Sequence, residues 1–75
     1  MRELVETIAK ALVDNPDEVR VTEVEGDGIL EVKLTVAPED MGKVIGRGGK
    51  IAKAIRSVVK AASARDDRKV FVDIE

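Results

Sequence analysis

The chain has 75 residues, 13 basic and 15 acidic side chains, and a formal net charge of −2. A chain of this length is expected to form one domain over residues 1–75, and no apolar run approaches the roughly 20 residues that are needed to cross a bilayer. Cysteine is absent, which excludes a disulfide scaffold and thiolate metal sites, and residues 1–10 lack the apolar core of a signal peptide, so we expect a cytoplasmic protein.

The first half of the chain predicts a helix followed by a β-hairpin. Apolar residues recur at helical spacing over residues 2–13, and Asn15-Pro16 ends that helix because proline disfavours a helical residue before it. Residues 19–24 are rich in β-branched side chains and predict a strand. Residues 29–36 alternate between apolar and polar, which is typical of a strand with one solvated face. The Gly-Asp-Gly stretch at 26–28 predicts a tight turn between the two strands.

The second half predicts two helices and a third strand. Residues 37–40, Ala-Pro-Glu-Asp, are a helix-start signal, and the glycines of residues 46–49 keep that helix short. A longer helix is predicted over about 49–64, followed by a polar turn and a strand at 69–74. The order helix, strand, strand, helix, helix, strand predicts an α+β fold. In it, a helical crossover makes the last two strands parallel beside an antiparallel hairpin.

Positive charge is concentrated in residues 41–60, which hold six basic residues and no acid, whereas the other 55 residues hold 7 basic and 15 acidic residues. A Gly-x-x-Gly turn lets a phosphate backbone approach closely, and the following helix offers N–H groups and its positive dipole end. This pattern favours phosphate binding. The residues alone leave an alternative open, in which the glycines only connect two packed helices and the charges form a solvated face. Ile51 after Gly49-Lys50 excludes a Walker-type phosphate loop.

The stretch VIGRGGKIAKAIR resembles the VIGxxGxxIxxIR core of KH domains, and the order of elements matches their type II, bacterial arrangement. More narrowly, LVDNPDEVRV followed by APEDMGKVIGRGGKIAKAIR is similar to small stand-alone bacterial KH proteins of the KhpA type. The resemblance covers essentially the whole chain. It implies a type II KH fold, with a three-stranded mixed sheet and three helices packed on one face, and a GXXG loop at residues 46–49.

The resemblance also implies single-stranded RNA as the ligand, clamped by the GXXG loop. The hairpin at 26–28 takes the place of the KH variable loop and is minimal, so we expect low sequence specificity and a role in post-transcriptional regulation or as an RNA chaperone. The residues expected to contact RNA lie in the loop and on the two helices beside it: Lys43, Ile45, Gly46, Arg47, Gly48, Gly49, Lys50, Lys53 and Arg56.

The long helix carries a second apolar stripe. Its expected core stripe consists of Ile51, Ile55, Val59 and Ala62, and the second stripe consists of Ala54, Val58 and Ala61. A broad core face is one interpretation of the second stripe, and an interaction surface is the other. KhpA-type proteins self-associate and pair with a larger KH-containing protein of the Jag type, so the resemblance implies a homodimer or such a heterodimer. The alternative function is therefore a protein-interaction subunit for which RNA contact is secondary.

The sequence offers few of the residue types that catalytic and metal sites use. There is no histidine or cysteine, and Ser57 and Ser63 have no evident base near them in the sequence. The adjacent acids of residues 39–40 and 66–67 are interpreted as helix-start and turn residues rather than metal ligands. We therefore expect neither an enzyme nor a cofactor.

Overall fold

The computed structural model describes all 75 residues and has the predicted order of helices and strands. The elements are α1 (Arg2–Leu12), β1 (Arg20–Gly26), β2 (Ile29–Thr35), α2 (Met41–Ile45), α3 (Lys50–Ala62) and β3 (Lys69–Ile74). Single 3-10 turns at Pro16–Glu18, Pro38–Asp40 and Arg47–Gly49 connect them. No helix is long and apolar enough to cross a membrane.

The sheet has the strand order β1-β2-β3 and is mixed, as predicted. β1 and β2 form an antiparallel hairpin in which Val21 lies opposite Leu34. β2 and β3 are parallel, with Val32 opposite Val72. Because parallel neighbours require a long connection, the chain leaves β2, passes through α2 and α3, and returns to the sheet as β3.

The core lies between one face of the sheet and the three helices, which gives the predicted two-layer α+β architecture. Leu30, Val32 and Leu34 on β2 are almost completely buried, and the alternate residues of the strand face outward. α1 contributes Val5 and Ala9 to the same core. The alternating sequence of β2 thus puts the middle strand against the helices and leaves its other face in solvent.

The predicted helix boundaries were too long, and one predicted core residue is wrong. α1 ends at Leu12 rather than residue 13, and α3 ends at Ala62 rather than residue 64. Ala62 is exposed, whereas Ala52 is buried together with Ile55 and Val59. At about 100° of rotation per residue, Ala62 lies within about 20° of the buried Ile55 around the helix axis. Its exposure therefore follows from its position as the last residue of α3 rather than from the face on which it lies.

The connection between α3 and β3 is held by Arg68. Its Nε and Nη2 donate to the two carboxylate oxygens of Asp66 at 2.9 and 2.7 Å, and its Nη1 lies 2.9 Å from Glu25 Oε2 on β1. The Arg68 hydrogen bonds hold the pKa of Asp66 well below its ordinary value. The backbone N–H of Lys69 donates to Gly28 O at 2.9 Å, so the short hairpin turn lies beside the start of β3, at the opposite end of α3 from residues 46–49.

Candidate nucleic-acid interface

The turn between α2 and α3 begins at Gly46, whose backbone angles (φ 76°, ψ 170°) are accessible essentially only to glycine. A Cβ at this position would lie 2.7 Å from Ile51 Cγ1 and 3.0 Å from Ile51 N. The backbone of α2 therefore touches the first turn of α3, and no larger residue fits between them. Ile51 is half-buried and also packs against the core.

Gly48 and Gly49 form the outer side of the turn and have left-handed backbone angles, with φ of 64° and 78°. A Cβ at either position would meet no atom within 4 Å. Inside the turn, the Gly49 N–H donates to Gly46 O at 3.1 Å. The glycine loop, residues 46–49, is thus closed on its inner side by one hydrogen bond and the Ile51 contact, and open on its outer side.

Three of the predicted phosphate contacts are brought together around the glycine loop. Arg47 lies within it, and Lys50 and Lys53 occupy the first turn of α3, about 60° apart around the helix axis. All three side chains are exposed, and none of them forms an ion pair. Ile45, also predicted to contact RNA, immediately precedes the loop and exposes 36% of its surface. An open backbone turn, free positive charge and an exposed apolar side chain therefore share one corner of the molecule.

Lys43 is placed differently from the other predicted contacts. Its ammonium group forms an ion pair and hydrogen bond with the carboxylate of Asp14, and lies 3.5 Å from Asp40 Oδ1. The hydrogen bond to Asp14 is the main reason why the pKa of Lys43 is raised. Its charge is already balanced within the protein.

Asp40 is the functional candidate that sequence reasoning missed. Its side chain is completely buried, and it accepts hydrogen bonds from the backbone N–H of Asp14 (3.2 Å) and from the backbone N–H and Nδ2 of Asn15 (both 3.0 Å). Burial raises the pKa of this carboxyl group, but these hydrogen bonds and the charge of Lys43 outweigh burial, and the pKa lies below its ordinary value. The partners are 25 and 26 residues away, so no local pattern reveals them.

Arg56 lies on the flank of α3 that faces β3, away from the glycine loop. Its Nε donates to Val72 O at 3.4 Å, on the edge of the sheet that β3 forms. A groove of about 690 Å³ runs there between the C-terminal half of α3 and β3. Lys60, Lys69 and the exposed Phe71 also line it, and it contains no acidic side chain. Lys60 could have indicated this groove from the sequence, since it belongs to the acid-free stretch 41–60 but was not assigned to the RNA contacts.

A second groove, the apolar valley, lies between α1 and α3 and has a volume of about 350 Å³. Ala54 and Val58 of the predicted interface line it, whereas Ala61 is exposed outside it. α1 adds Ile8 and Leu12, which sequence reasoning did not assign to this surface. The predicted stripe on α3 is therefore one wall of a valley that needs both helices.

Two further polar residues that the sequence analysis considered are engaged in local structure. Ser63 Oγ donates to Lys60 O at 3.2 Å, and Asp66 is held by Arg68. No group of three or more histidine, cysteine, aspartate or glutamate side chains is arranged to hold a metal ion. The glycine loop and the two grooves are therefore the candidate binding surfaces of this protein.

Comparison with known families identifies related chains over the full length. A family model described as the KH domain of KhpA/KhpB matches residues 2–74. The RNA-binding protein KhpA of Clostridium acetobutylicum is 60% identical over 74 residues, which cover 99% of both chains. The proteins of the same name from Caldanaerobacter subterraneus subsp. tengcongensis and Aquifex aeolicus are 60% and 43% identical, and the matches cover 99% and 94% of those chains and 99% of this one.

Solved structures show a likeness of fold. An Era variant of Aquifex aeolicus bound to GDP.AlF4− superposes on this chain with a TM-score of 0.61 and is 22% identical in sequence. Era in complex with MgGDPNP and nucleotides 1506–1542 of 16S ribosomal RNA superposes with a TM-score of 0.62 and is 20% identical. Each match covers 97% of this chain and 28% of the Era chain. Together with the order of elements, these likenesses confirm the predicted KH fold.

Replacing Gly46 by alanine is expected to destabilise the protein by about 2–3 kcal/mol, because the new Cβ meets Ile51 and the backbone angles are nearly closed to other residues. Gly48→Ala is the matched control, since it has a positive φ but open space, and should cost about 1 kcal/mol. Urea unfolding followed by circular dichroism measures both values. Equal losses of stability would contradict the close approach of α2 and α3.

Acid is expected to destabilise the protein mainly below about pH 4. Asp40 and Asp66 have lowered pKa values in the folded state, so they contribute stability above their unfolded pKa that is lost as pH falls through the folded pKa. We expect the melting temperature to fall by more than about 5 °C between pH 6 and pH 3. The fall should be smaller in Asp40→Asn, and a flat profile in the wild type would contradict the hydrogen bonding described for the two carboxylates.

Proposed function

The chain belongs to the KhpA/KhpB family of KH domains, and on that premise we propose that it binds single-stranded RNA through the glycine loop. The observation that carries the proposal is an open glycine turn surrounded by the unpaired cations Arg47, Lys50 and Lys53, in a chain whose net charge is −2. A phosphate backbone can lie against such a turn without meeting side chains, and three nearby positive charges attract it. We propose that residues 1–75 work as one KH domain.

Each loop residue has a distinct part in this proposal. Arg47, Lys50 and Lys53 contact phosphates, and backbone N–H groups near Gly48-Gly49 complete the cradle. Ile45, exposed beside the loop, packs against a base. Gly46 has an indirect part, because it lets α2 approach Ile51 and so shapes the turn.

Beyond the loop, the RNA follows α3 into the groove along β3. Arg56, Lys60 and Lys69 line that groove without an acid, which favours continued contact with the phosphate backbone. Phosphate contacts position a strand but carry no sequence information. The hairpin turn beside the start of β3 is only two residues long and adds little surface for reading bases. These features support low sequence specificity and, with the family, a role in post-transcriptional regulation or as an RNA chaperone in the bacterial cytoplasm.

The proposal is one of binding rather than catalysis. The sequence contains no histidine or cysteine, and the Ser63 hydroxyl donates to a backbone carbonyl. The buried carboxylate of Asp40 is saturated by hydrogen bonds from within the protein. No side chain is arranged as a nucleophile with an adjacent base.

The test is fluorescence anisotropy with a labelled single-stranded RNA of about 10 nucleotides at two salt concentrations. The wild type should bind with salt-sensitive affinity, and Arg47→Asp combined with Gly48→Asp should weaken binding by at least about 100-fold, because it replaces attraction by repulsion at the open side of the loop. Arg47→Gln alone should weaken binding to all RNA sequences alike. It should also flatten the salt slope, which is the slope of log affinity against log salt concentration, by about 0.7–1.

The control carries the same change of charge on another surface. Thr7→Asp combined with Lys10→Asp also makes the protein more negative by three charges, on exposed positions of α1. It should bind RNA nearly as well as the wild type. If the loop variant binds as tightly as this control, RNA binding through the glycine loop is wrong.

A second candidate function is pairing through the apolar valley. Val58 and Leu12 expose 44% and 37% of their surface there, and Lys50 is the one charged residue among the seven that line the valley. Exposed apolar grooves of this kind mark interaction sites on small soluble proteins. Together with the family, this observation favours a homodimer or a heterodimer with a larger KH-containing protein of the Jag type. Two copies would also offer two RNA sites and hence avidity.

Val58→Asp is expected to abolish pairing, because it places a charge in the middle of the valley. Ser57→Asp is the matched control, since Ser57 is exposed next to Val58 but lies outside the valley. Sedimentation over a range of concentrations should show a monomer only for Val58→Asp. If both variants sediment as the wild type does, the valley is not an interface.

A further inference from the structure

We infer that Asp40 is a positioning residue for the glycine loop: by binding the segment after α1 and Lys43, it fixes the orientation of α2 and so presents residues 46–49 in one conformation. This inference rests on the RNA binding proposed above. It assigns Lys43, which the sequence places among the RNA contacts, to the same internal cluster.

The starting point is that α2 cannot hold its own orientation. It has five residues, and only Val44 among them is completely buried. A helix of this length is unstable in isolation, so its geometry is set by what anchors it. Apart from Val44, only the half-buried Met41 of α2 packs against the core, and apolar contacts of this kind are not directional.

Asp40 adds a polar and directional anchor one helical turn before Val44. One carboxylate oxygen accepts from the Asp14 N–H, and the other accepts from both the backbone N–H and the side-chain Nδ2 of Asn15. The carboxylate is completely buried, and hydrogen bonds to a buried charge are strong and directional. The start of α2 is thereby fixed to the connection between α1 and β1.

Lys43 closes this cluster on the solvent side. Its ammonium group lies between the carboxylates of Asp14 and Asp40, so one turn of α2 is held through residues 40 and 43 together. An ammonium group shared by two carboxylates offers little net attraction to a phosphate. Arg47, Lys50 and Lys53, which have no acidic partner, are left as the phosphate contacts.

The orientation of α2 passes directly into the glycine loop. The Gly46 N–H donates to Gly42 O at 2.9 Å, so the first loop residue is bonded to the helix. Gly48 and Gly49 have no side chains that could fix them, and glycine has the largest backbone freedom of any residue. A loop of this composition is ordered by its flanks, and ordering it before the ligand arrives favours affinity.

The experiment uses Asp40→Asn, which keeps the size of the side chain. The amide NH2 of asparagine cannot accept the hydrogen bonds that either Asp14 or Asn15 donates to one of the carboxylate oxygens. We expect the backbone amides of Gly46, Gly48 and Gly49 in the free protein to lose order, with ¹⁵N order parameters falling from about 0.85 to below about 0.6. RNA affinity should fall about tenfold, measured well below the melting temperature. The salt slope should not change, because the phosphate contacts remain.

Val21→Ala serves as the control for lost stability alone, because Val21 is a core residue on β1. It should lower the melting temperature and leave the loop amides and RNA affinity as in the wild type. If Asp40→Asn behaves in the same way, Asp40 only stabilises the fold and the inference is overturned. If Asp40→Asn does not fold, Asn15→Ala replaces it, since it removes one hydrogen bond to Asp40 and should show the same loss of loop order to a smaller degree.

Lys43→Gln tests the assignment of Lys43. We expect an unchanged salt slope and an effect on affinity that is not additive with that of Asp40→Asn, as for two members of one cluster. A slope flattened by about 0.7 would instead show that Lys43 contacts a phosphate and would overturn this part. If the wild type binds no RNA, the proposed function fails, while the order of the loop amides in the free proteins still decides the positioning role.

Discussion

Two parallel neighbouring strands cannot be joined by a tight turn, and the chain between β2 and β3 therefore crosses the helical face of the sheet before it returns. α2, the glycine loop and α3 form that crossing. The chain turns between these two helices, and glycine at residue 46 makes the turn possible because its backbone lies directly against Ile51. Parallel pairing in the sheet thus requires the long crossing segment that carries the exposed turn of the proposed RNA site.

Much of the order of helices and strands could be predicted because it depends on residue patterns that are local in the sequence. The alternation of residues 29–36 defines β2, and Asn15-Pro16 and the glycines of 46–49 mark the ends of helices. The features that were missed depend on distant parts of the chain. Asp40 finds its partners 25 and 26 residues away, and Lys43 finds Asp14 29 residues away. The same holds for the two grooves, since each requires a second element beside α3.

The ion pairs show that the basic residues of 41–60 are not equivalent. Counting charges treats Lys43 and Arg47 as equal, although their surroundings differ completely only four positions apart. Lys43 is compensated by two carboxylates, whereas Arg47 projects from the loop without a partner. A cation attracts a polyanion less strongly when acidic groups of its own protein compensate its charge. The structure therefore divides one basic stretch into a part that holds the fold together and a part that is free for a ligand.

The bond from Arg56 to the carbonyl of Val72 has a consequence for how this protein behaves at high concentration. An edge strand with unpaired backbone groups is a template on which further strands can add, and β-sheet proteins avoid this with charges and short edges. β3 has six residues, the charged side chains of Lys69 and Asp73 are exposed, and Arg56 covers a backbone acceptor near its centre. The same arginine that lines the groove along β3 thus occupies a backbone acceptor of this edge strand and disfavours the addition of a further strand there.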